Sequence, residues 1–438
     1  MRRLPDTPTR PTETGGVTPP AAPRQPSWAN TRTDAERAIL RDPRAAQVLQ
    51  AVWSGDPAVV VPSPPGAGKT RLVALLAATL ARRADMRVGI AAQTREQAAE
   101  IARRLHRLDA ESSLIWSAKH PLPDLDGGSV VQGNNVRFPP SGGGILIATT
   151  KRWTYAWPWE LGCDVMVVDE AWQATYADVA ALGVLAPQIV CVGDPGQIDP
   201  VVTGRVGRWI GHTNAPHLPA PQALLAVHDD AVSVVALRHS WRLGPDTTAL
   251  LRPAFYPDLA FGSKRPDQWV CDHVGKRLGE ITAHPVRVTG GPGDPALVAA
   301  VADRVRRLLR GTYRVPGQGI DRAVKGGDVA VVCSHVAQAA AVRAELAEVA
   351  DVLVGTANQL QGCERAVTVA LHPLSGYRDP AMVEFAADAG RACVMLSRHR
   401  AHLGLVYDAA LGDLLAECDP AVAGVAAHLS VAAALRLR

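Results

Sequence analysis

Short runs of β-branched and other apolar residues alternate with amphipathic stretches from about residue 31 onward. Runs of this length are typical of buried strands, and the stretches between them have the spacing of helices that pack on one face. In the first half, the predicted strands are residues 59–61, 88–91, 145–147, 165–168 and 189–192, and the predicted helices include 71–82 and 95–107. The alternation predicts a mostly parallel sheet with crossover helices.

A second set of runs follows with the same alternation. Its predicted strands are residues 234–237, 329–333, 352–354, 367–371 and 403–406, and its helices include 295–310 and 335–349. Pro295 lies in the first turn of its helix, where the missing N–H leaves no bond unmade. The predicted fold class is therefore α/β, with two parallel-sheet domains in tandem at residues 31–230 and 231–438.

Residues 1–30 have a different composition. Seven prolines lie among threonines with hardly any apolar periodicity, so burial cannot offset the entropy of ordering the segment. We predict a disordered Pro/Thr-rich arm, and we expect any protein partner to bind through it.

Composition narrows the class of protein. Of the 438 residues, 47% are hydrophobic and 20% are charged, which is typical of globular domains. No apolar run approaches the roughly 20 residues that a membrane span needs, and no apolar stretch follows the first residues as in a secretion signal. The seven cysteines include no Cys-x-x-Cys pair, which argues against a disulfide framework or a zinc site. We expect a cytoplasmic protein with no membrane partner.

The charge balance neither requires nor excludes a nucleic-acid partner. The formal net charge is +4, and a basic stripe can be hidden in a balanced total. All but six of the 46 basic residues are arginine, and with abundant alanine this favours a GC-rich bacterial or phage genome. The excess of arginine is therefore not evidence for phosphate recognition.

A glycine-rich segment follows the first predicted strand and opens the next helix. Residues 63–70 read Ser-Pro-Pro-Gly-Ala-Gly-Lys-Thr, in the strand–loop–helix context that a phosphate-binding loop requires. Lys69 is expected to reach the β- and γ-phosphates and the Thr70 hydroxyl to bind Mg²⁺. Ser63 replaces the usual first glycine, a change that we expect the turn to tolerate. The predicted nucleotide-binding residues of the loop are Gly66, Ala67, Gly68, Lys69 and Thr70.

Two adjacent carboxylates follow the predicted strand at residues 165–168. Asp169 would hold Mg²⁺, directly or through water, and Glu170 would orient and deprotonate the attacking water. A carboxylate pair alone is weak evidence, but its place after an apolar strand and downstream of a phosphate loop favours this chemistry.

Residues 169–173, Asp-Glu-Ala-Trp-Gln, resemble motif II of superfamily 1 helicases, whose RecD-like branch (superfamily 1B) commonly carries Asp-Glu-Ala-x-Gln. Residues 193–201 resemble motif III of that superfamily. The resemblance implies that Gln197 senses the γ-phosphate and couples it to strand binding. Asp199 stands where the family usually has proline.

Three blocks in the second half follow in the order that the family needs. Residues 238–242 resemble its Gln-Tyr-Arg element, which implies that Arg242 reaches across a cleft to the phosphates. Residues 356–364 resemble motif V, which implies nucleotide contacts at Gly362 and Glu364 and a strand contact at Thr356. Residues 395–400 resemble motif VI, in which Arg398 takes the place of the arginine finger.

Three shorter matches leave alternatives open. Gln47 is placed like the residue of the Q motif that contacts adenine, but it also fits a surface helix position. Two pairs resemble strand-contact motifs, although ordinary loop residues would look the same: Gln93 with Thr94, and Thr149 with Thr150.

The resemblance covers roughly residues 40–410 and implies two RecA-like domains with ATP and Mg²⁺ in the cleft between them. It implies movement along single-stranded nucleic acid in the 5′-to-3′ direction, and we expect DNA rather than RNA as the strand. The spacings between motifs leave no room for large inserted subdomains. The alternative is a nucleotide-dependent switch or assembly subunit that grips a protein partner without unwinding. A small-molecule kinase would leave the later motifs unexplained.

Two further segments have open interpretations. The aromatic residues Trp153, Tyr155, Trp157 and Trp159 form either a small satellite core or a surface on which bases stack. Residues 129–138 are predicted to form a hairpin with its turn at residues 133–135, either a plain surface hairpin or a pin that separates strands.

Overall fold

The structure is a computed structural model that describes residues 33–133, 136–422 and 424–437. Its first half contains eight strands that pair in parallel throughout. The strands are β1 (Ala58–Pro62), β2 (Arg87–Ala92), β3 (Ser112–Trp116), β4 (Ser129–Gln132), β5 (Gly144–Thr149), β6 (Val165–Asp169), β7 (Gln188–Gly193) and β8 (Val232–Val234). Their order across the sheet is β4-β3-β5-β2-β6-β7-β1-β8.

Helices cover both faces of this sheet. They are α1 (Asp34–Arg41), α2 (Pro43–Trp53), α3 (Lys69–Arg83), α4 (Arg95–Arg107), α5 (Thr150–Trp153), α6 (Pro158–Leu161), α7 (Tyr176–Leu182) and α8 (Ala220–Val227). Successive residues of β1 alternate between two cores: Val59 and Val61 pack with α1–α4, whereas Val60 packs with the cluster of α5–α8. Burial on both faces explains why the strands read as continuous apolar runs.

The second half is built on a five-stranded parallel sheet, with a two-stranded and a three-stranded sheet beside it. Its strands are β9 (His239–Ser240), β10 (Gly262–Ser263), β11 (Trp269–Cys271), β12 (Ile281–Val286), β13 (Thr312–Val315), β14 (Ile320–Ala323), β15 (Val329–Cys333), β16 (Leu353–Thr356), β17 (Arg365–Leu371) and β18 (His399–Asp408). The five-stranded sheet has the order β12-β18-β17-β15-β16.

The helices of this half lie around that sheet. They are α9 (Pro245–Phe255), α10 (Pro295–Leu309), α11 (Val336–Glu345), α12 (Val383–Ala386), α13 (Ala389–Leu396), α14 (Leu411–Glu417) and α15 (Val425–Leu435). The predicted fold class, α/β with two parallel sheets in tandem, is confirmed. No helix among the described residues is long and apolar enough to cross a membrane.

Two details of the predicted organisation differ from the structure. The strand predicted at residues 234–237 is β8, and it pairs in parallel with β1 of the first sheet. The first unit therefore extends past the predicted boundary at residue 230, and Leu237 still packs in its core. The predicted hairpin at residues 129–138 is wrong where it is described, because β4 pairs in parallel with β3.

Residues 134–135 of that segment, and the predicted arm at residues 1–30, lie outside the described residues.

Candidate functional site

The carboxyl ends of the central strands carry most of the polar residues predicted in the first half. β1 runs into the phosphate loop, β2 ends one residue before Gln93, and β5 ends at Thr149. β6 ends at Asp169, and β7 ends one residue before Asp194. Because all these strands are parallel, their carboxyl ends meet at one edge of the sheet, which is where ligands bind in open α/β sheets.

The phosphate loop has the backbone that its glycines allow. Gly66 and Gly68 have φ angles of +72° and +88°, in the left-handed region, and Gly68 begins the 15-residue helix α3. Free amides at a helix N-terminus favour an anion. The buried Ser63 hydroxyl donates to the Val61 carbonyl at 3.0 Å, and its amide donates to the Gly193 carbonyl at 2.9 Å. The backbone of Ser63 therefore ties the loop to β7, and its hydroxyl is satisfied within β1.

Lys69, the first residue of α3, lies at this edge of the sheet with its side chain buried. Its Nζ is 3.8 Å from Glu170 Oε1 and 3.7 Å from Asp194 Oδ2. Both distances exceed a direct hydrogen bond, so the ammonium is neutralised by two carboxylates while its donors remain available to a ligand.

Asp169 and Thr70 have the chemistry that a divalent cation needs. Burial and the negative charge of Glu170 together raise the pKa of Asp169 to about 7, although Lys69 opposes both effects. Its only hydrogen bond among the described residues comes from the Glu170 amide at 3.1 Å, and the Thr70 hydroxyl has none there. Mg²⁺ is usually bound by one or two protein oxygens together with substrate phosphates, so these residues fit that ion.

Asp194 is the hub of a second buried group that the sequence did not single out. Its carboxylate accepts from Gln197 Nε2 at 2.6 Å, from the Gly196 amide at 3.1 Å and from the Tyr256 hydroxyl at 2.8 Å. Tyr256 follows α9, so this bond joins the second half of the chain to the residues of motif III. Only glycine fits at position 196, because a Cβ there would lie 2.5 Å from the Tyr256 ring.

Residues 240–242 lie directly on the phosphate loop. The buried Ser240 hydroxyl donates to the Pro65 carbonyl at 2.7 Å and accepts from the amides of Arg242 and Leu243 at 3.3 and 3.0 Å. A Cβ on Gly66 would lie 2.3 Å from the Cβ of Arg242. Ser240 therefore positions the backbone of Arg242 against the loop, a role that its resemblance to a family glutamine did not indicate.

The Arg242 side chain pairs with Glu364, which is another residue predicted to touch the nucleotide. Arg242 Nε donates to Glu364 Oε2 at 2.5 Å, and Arg400 Nη1 is 3.7 Å from Glu364 Oε1. Burial would raise the pKa of Glu364, but the two arginines lower it overall. The carboxylate thus holds Arg242 beside the loop in this conformation.

Arg398 is a charged residue whose side chain is almost completely buried. Its side chain is 1% exposed, and its hydrogen bonds go from Nε to the Val394 carbonyl at 3.1 Å and from Nη2 to Ser397 Oγ at 2.9 Å. No carboxylate among the described residues forms an ion pair with it. Burial and the charge of Arg242 together lower the pKa of Arg398 to about 10, although the charges of Asp194 and Glu170 oppose them.

The remaining residues of motif V form the turn after β16. The Thr356 amide donates to Gln359 Oε1 at 3.0 Å, and Gly362 has a φ of +81°. Gln361 Nε2 lies 3.5 Å from Gln197 Oε1, so this turn contacts motif III of the first half.

The residues of the shorter matches have local roles. Gln47 is exposed on α2, where its Oε1 accepts from Arg44 at 2.9 Å. Thr94 begins α4 in a reciprocal cap with Gln97, and the buried Thr150 hydroxyl donates to the Ala92 carbonyl at 3.2 Å.

The other two strand-contact residues lie on the same edge as the phosphate loop. Thr149 begins α5 by accepting from the Arg152 amide at 3.3 Å. Gln93 Nε2 is buried without a hydrogen-bond partner among the described residues.

The fold is similar to those of three solved helicase structures. The chain is similar to the PRRSV helicase, with 16% identity and a TM-score of 0.41 over 83% of this chain and 54% of that one. It is similar to Arterivirus nonstructural protein 10 (helicase), with 14% identity and a TM-score of 0.45 over 82% of this chain and 62% of that one. It is also similar to that helicase in a complex with DNA, with 15% identity and a TM-score of 0.45 over 82% of this chain and 63% of that one.

The chain thus spans between 54% and 63% of the length of these three structures. No curated protein sequence matches it. Residues 41–220 match the family model of the AAA domain. This match and the geometry of the phosphate loop support a P-loop NTPase domain over that part of the chain.

Proposed function

We propose that the chain is an ATP-dependent motor of the superfamily 1 helicase type, of the RecD-like branch, that couples hydrolysis to movement on single-stranded nucleic acid. The observation that carries the proposal is the buried Arg398 guanidinium, which has no carboxylate partner among the described residues and lies close enough to Arg242, Asp194 and Glu170 for their charges to act on it. A buried charge without a partner is costly, so its retention is best explained by an anion that arrives with the substrate.

The proposed division of labour follows from the contacts. The amides of the phosphate loop and Lys69 bind the phosphates, and Thr70 with Asp169 holds Mg²⁺, which neutralises charge on the transferring phosphoryl group. Glu170 is the general base for the attacking water. Arg398 and Arg242 stabilise the negative charge that the transferring phosphate develops.

We propose that the bonds between the two halves couple the state of the bound nucleotide to the binding of the nucleic-acid strand. Gln197 lies between Lys69's partner Asp194 and Gln361 of the second half. A γ-phosphate that draws Arg242 away from Glu364 would shift the turn that contains Gln361. Because the bonds at Asp194 and Gln197 span the cleft, we propose that closure around ATP moves the two sheets relative to each other.

The remaining assignments belong to the same proposal. The motor would move 5′-to-3′ along a single strand, with DNA expected rather than RNA. The residues that would contact this strand are Gln93, Thr94, Thr149, Thr150 and Thr356. Gln47 would contact the adenine, and Gly362 with Glu364 would contact the nucleotide. The arm at residues 1–30 would bind a protein partner.

The test is the steady-state rate of ATP hydrolysis with and without single-stranded DNA and RNA, at a fixed salt concentration because strand binding is salt-dependent. Lys69→Ala serves as the blank. Strong stimulation by one polymer is expected and would identify the strand. Hydrolysis that is indifferent to both polymers would overturn the motor and favour the alternative, a switch that grips a protein partner.

A further inference from the structure

Three aromatic side chains are exposed in residues 150–161, a segment that comprises α5, α6 and the turn between them. The exposed fractions are 80% for Tyr155, 57% for Trp157 and 76% for Trp159. Large aromatic side chains are normally buried, and an exposed group of them marks a binding surface. The fourth aromatic residue of this sequence cluster, Trp153, is 1% exposed and belongs to the core. The two interpretations left open by the sequence therefore apply to different residues.

The segment is anchored at both ends, so the exposed rings are held in place. Trp153 Nε1 donates to the Ile90 carbonyl at 2.8 Å, and Leu161, the last residue of α6, is buried in the core. The rings of Trp157 and Trp159 are stacked, with centroids 4.7 Å apart and planes 19° apart. A pair of nearly parallel rings presents a flat outer face at which a further planar ring can continue the stack.

The position of the segment relates it to the predicted strand path. It starts where β5 ends, immediately after Thr149, and thus at the carboxyl edge of the first sheet. Lys151 and Arg152 are its basic residues, and Glu160 is its one acidic residue. Lys151 Nζ is 3.5 Å from Asp178 of α7, which joins the segment to that helix.

A stretch without acidic residues is bonded to the first residues of α7. The amides of Tyr176 and Ala177 donate to the carbonyls of Leu218 and Pro216 at 2.8 and 3.0 Å. Those carbonyls belong to residues 200–228, a stretch with no aspartate or glutamate. A surface with aromatic rings and little negative charge is complementary to a polyanion that carries planar bases.

We propose that Tyr155, Trp157 and Trp159 form a stacking platform for the bases of a single-stranded nucleic acid. The proposal rests on the proposed function, because it assigns part of the strand path of that motor. A nucleic acid fits better than a protein partner because residues 149–161 expose no leucine, isoleucine, valine or methionine. Stacking needs only flat faces, so the platform would bind bases with little sequence preference.

The test compares two fluorescent oligonucleotides of equal length, one with bases and one with abasic sites throughout its central part, at a fixed salt concentration. The variants are Trp157→Ala/Trp159→Ala, the conservative Trp157→Phe/Trp159→Phe, and Trp53→Ala as a matched control. Trp53 is also 57% exposed, but it lies at the amino end of the sheet, where the preceding residue Val52 accepts a bond from Gln188 at the start of β7.

Base stacking on an aromatic ring contributes about 1–3 kcal/mol for each base, which corresponds to about 5- to 150-fold in affinity. The double alanine variant is expected to lose affinity of that order for the oligonucleotide with bases and to bind the abasic one as the wild type does. The phenylalanine variant should retain most of the affinity, and Trp53→Ala all of it. Circular dichroism and thermal unfolding check that each variant is folded.

The outcomes separate this proposal from the proposed function. If the wild type binds the oligonucleotide with bases and the double alanine variant binds it equally well, the platform is wrong and the motor still stands. If the wild type binds neither oligonucleotide, the proposed function fails and the platform fails with it.

Discussion

Replacement of Arg398 by methionine is expected to separate stability from activity. Methionine is unbranched and flexible, so it can fill the space of the arginine stem without a charge. For an arginine that had a structural role, the change would destabilise the protein strongly. For an arginine that is held ready for a phosphate, the fold should tolerate the loss while hydrolysis does not.

The structure sets the magnitudes. Burial lowers the pKa of Arg398 to about 10, and at about 1.4 kcal/mol for each pKa unit the charged side chain costs the folded state roughly 3 kcal/mol. Since the guanidinium is charged in both states near neutral pH, methionine removes this whole cost. It also removes the two hydrogen bonds to Val394 and Ser397, each of which contributes about 1.5 kcal/mol for a charged donor. The two effects nearly cancel, so the free energy of unfolding is expected to change by no more than about 1 kcal/mol.

Hydrolysis should respond in the opposite direction. An arginine that stabilises a transferring phosphoryl group contributes about 10³ or more to the rate, so Arg398→Met should be nearly inactive yet still bind nucleotide through its phosphate loop. The assays are urea denaturation and steady-state hydrolysis.

Arg304→Met is the matched control for Arg398→Met. Arg304 also has a pKa lowered by burial, and it bonds to Thr282 and His402 on the side of α10. Its replacement should leave hydrolysis unchanged. If Arg398→Met lost 3 kcal/mol or more of stability, as expected when a buried ion pair is broken, the reasoning would be refuted.

Three further predictions concern other residues. Glu170→Gln should abolish hydrolysis while nucleotide binding by calorimetry is retained, and full activity would remove Glu170 as the base. Tyr256→Phe deprives the buried Asp194 carboxylate of a donor and should lower the free energy of unfolding by about 1.5–3 kcal/mol in urea; an unchanged midpoint would count against this bond. Burial opposes the lowering of the Glu36 pKa, but the bonds from Arg83 prevail and hold it below its usual value. This contribution is present above the unfolded pKa and is lost as the pH falls through the folded one. Glu36→Gln should therefore be less stable than the wild type at pH 7 in urea denaturation, and the difference should shrink as the pH falls below the usual pKa of a glutamate.

The sequence predicted the parallel sheets well because their strands are buried on both faces. An apolar run such as residues 329–333 appears as β15 with the same bounds, and α4 also begins and ends where its pattern predicted. Short runs are harder to assign to a partner. Residues 232–234 would fit a strand of either sheet, and only their pairing with β1 shows that the first unit extends beyond residue 230.

The candidate site was predictable to the extent that single residues carry the chemistry. Lys69 follows from the glycine-rich loop, and Asp169 with Glu170 follows from the carboxylate pair at the end of an apolar run; each of these signals is local in the sequence. Ser240 and Tyr256 did not follow, because their bonds join residues more than 60 positions apart. In the sequence, such a residue is only a polar side chain near a motif. Its hydrogen-bond partner can be identified only once the fold is known.

The central claim is that nucleotide bound between the two halves changes how the chain holds a single strand. The most direct measurement is the affinity for a fluorescent single-stranded oligonucleotide, with and without a non-hydrolysable ATP analogue and Mg²⁺, in the wild type and in Arg398→Met. The account predicts that the analogue changes the affinity of the wild type by about fivefold or more, a coupling free energy of at least about 1 kcal/mol, and that Arg398→Met loses this change. Equal affinity with and without the analogue in the wild type, despite tight binding of both ligands, would contradict it.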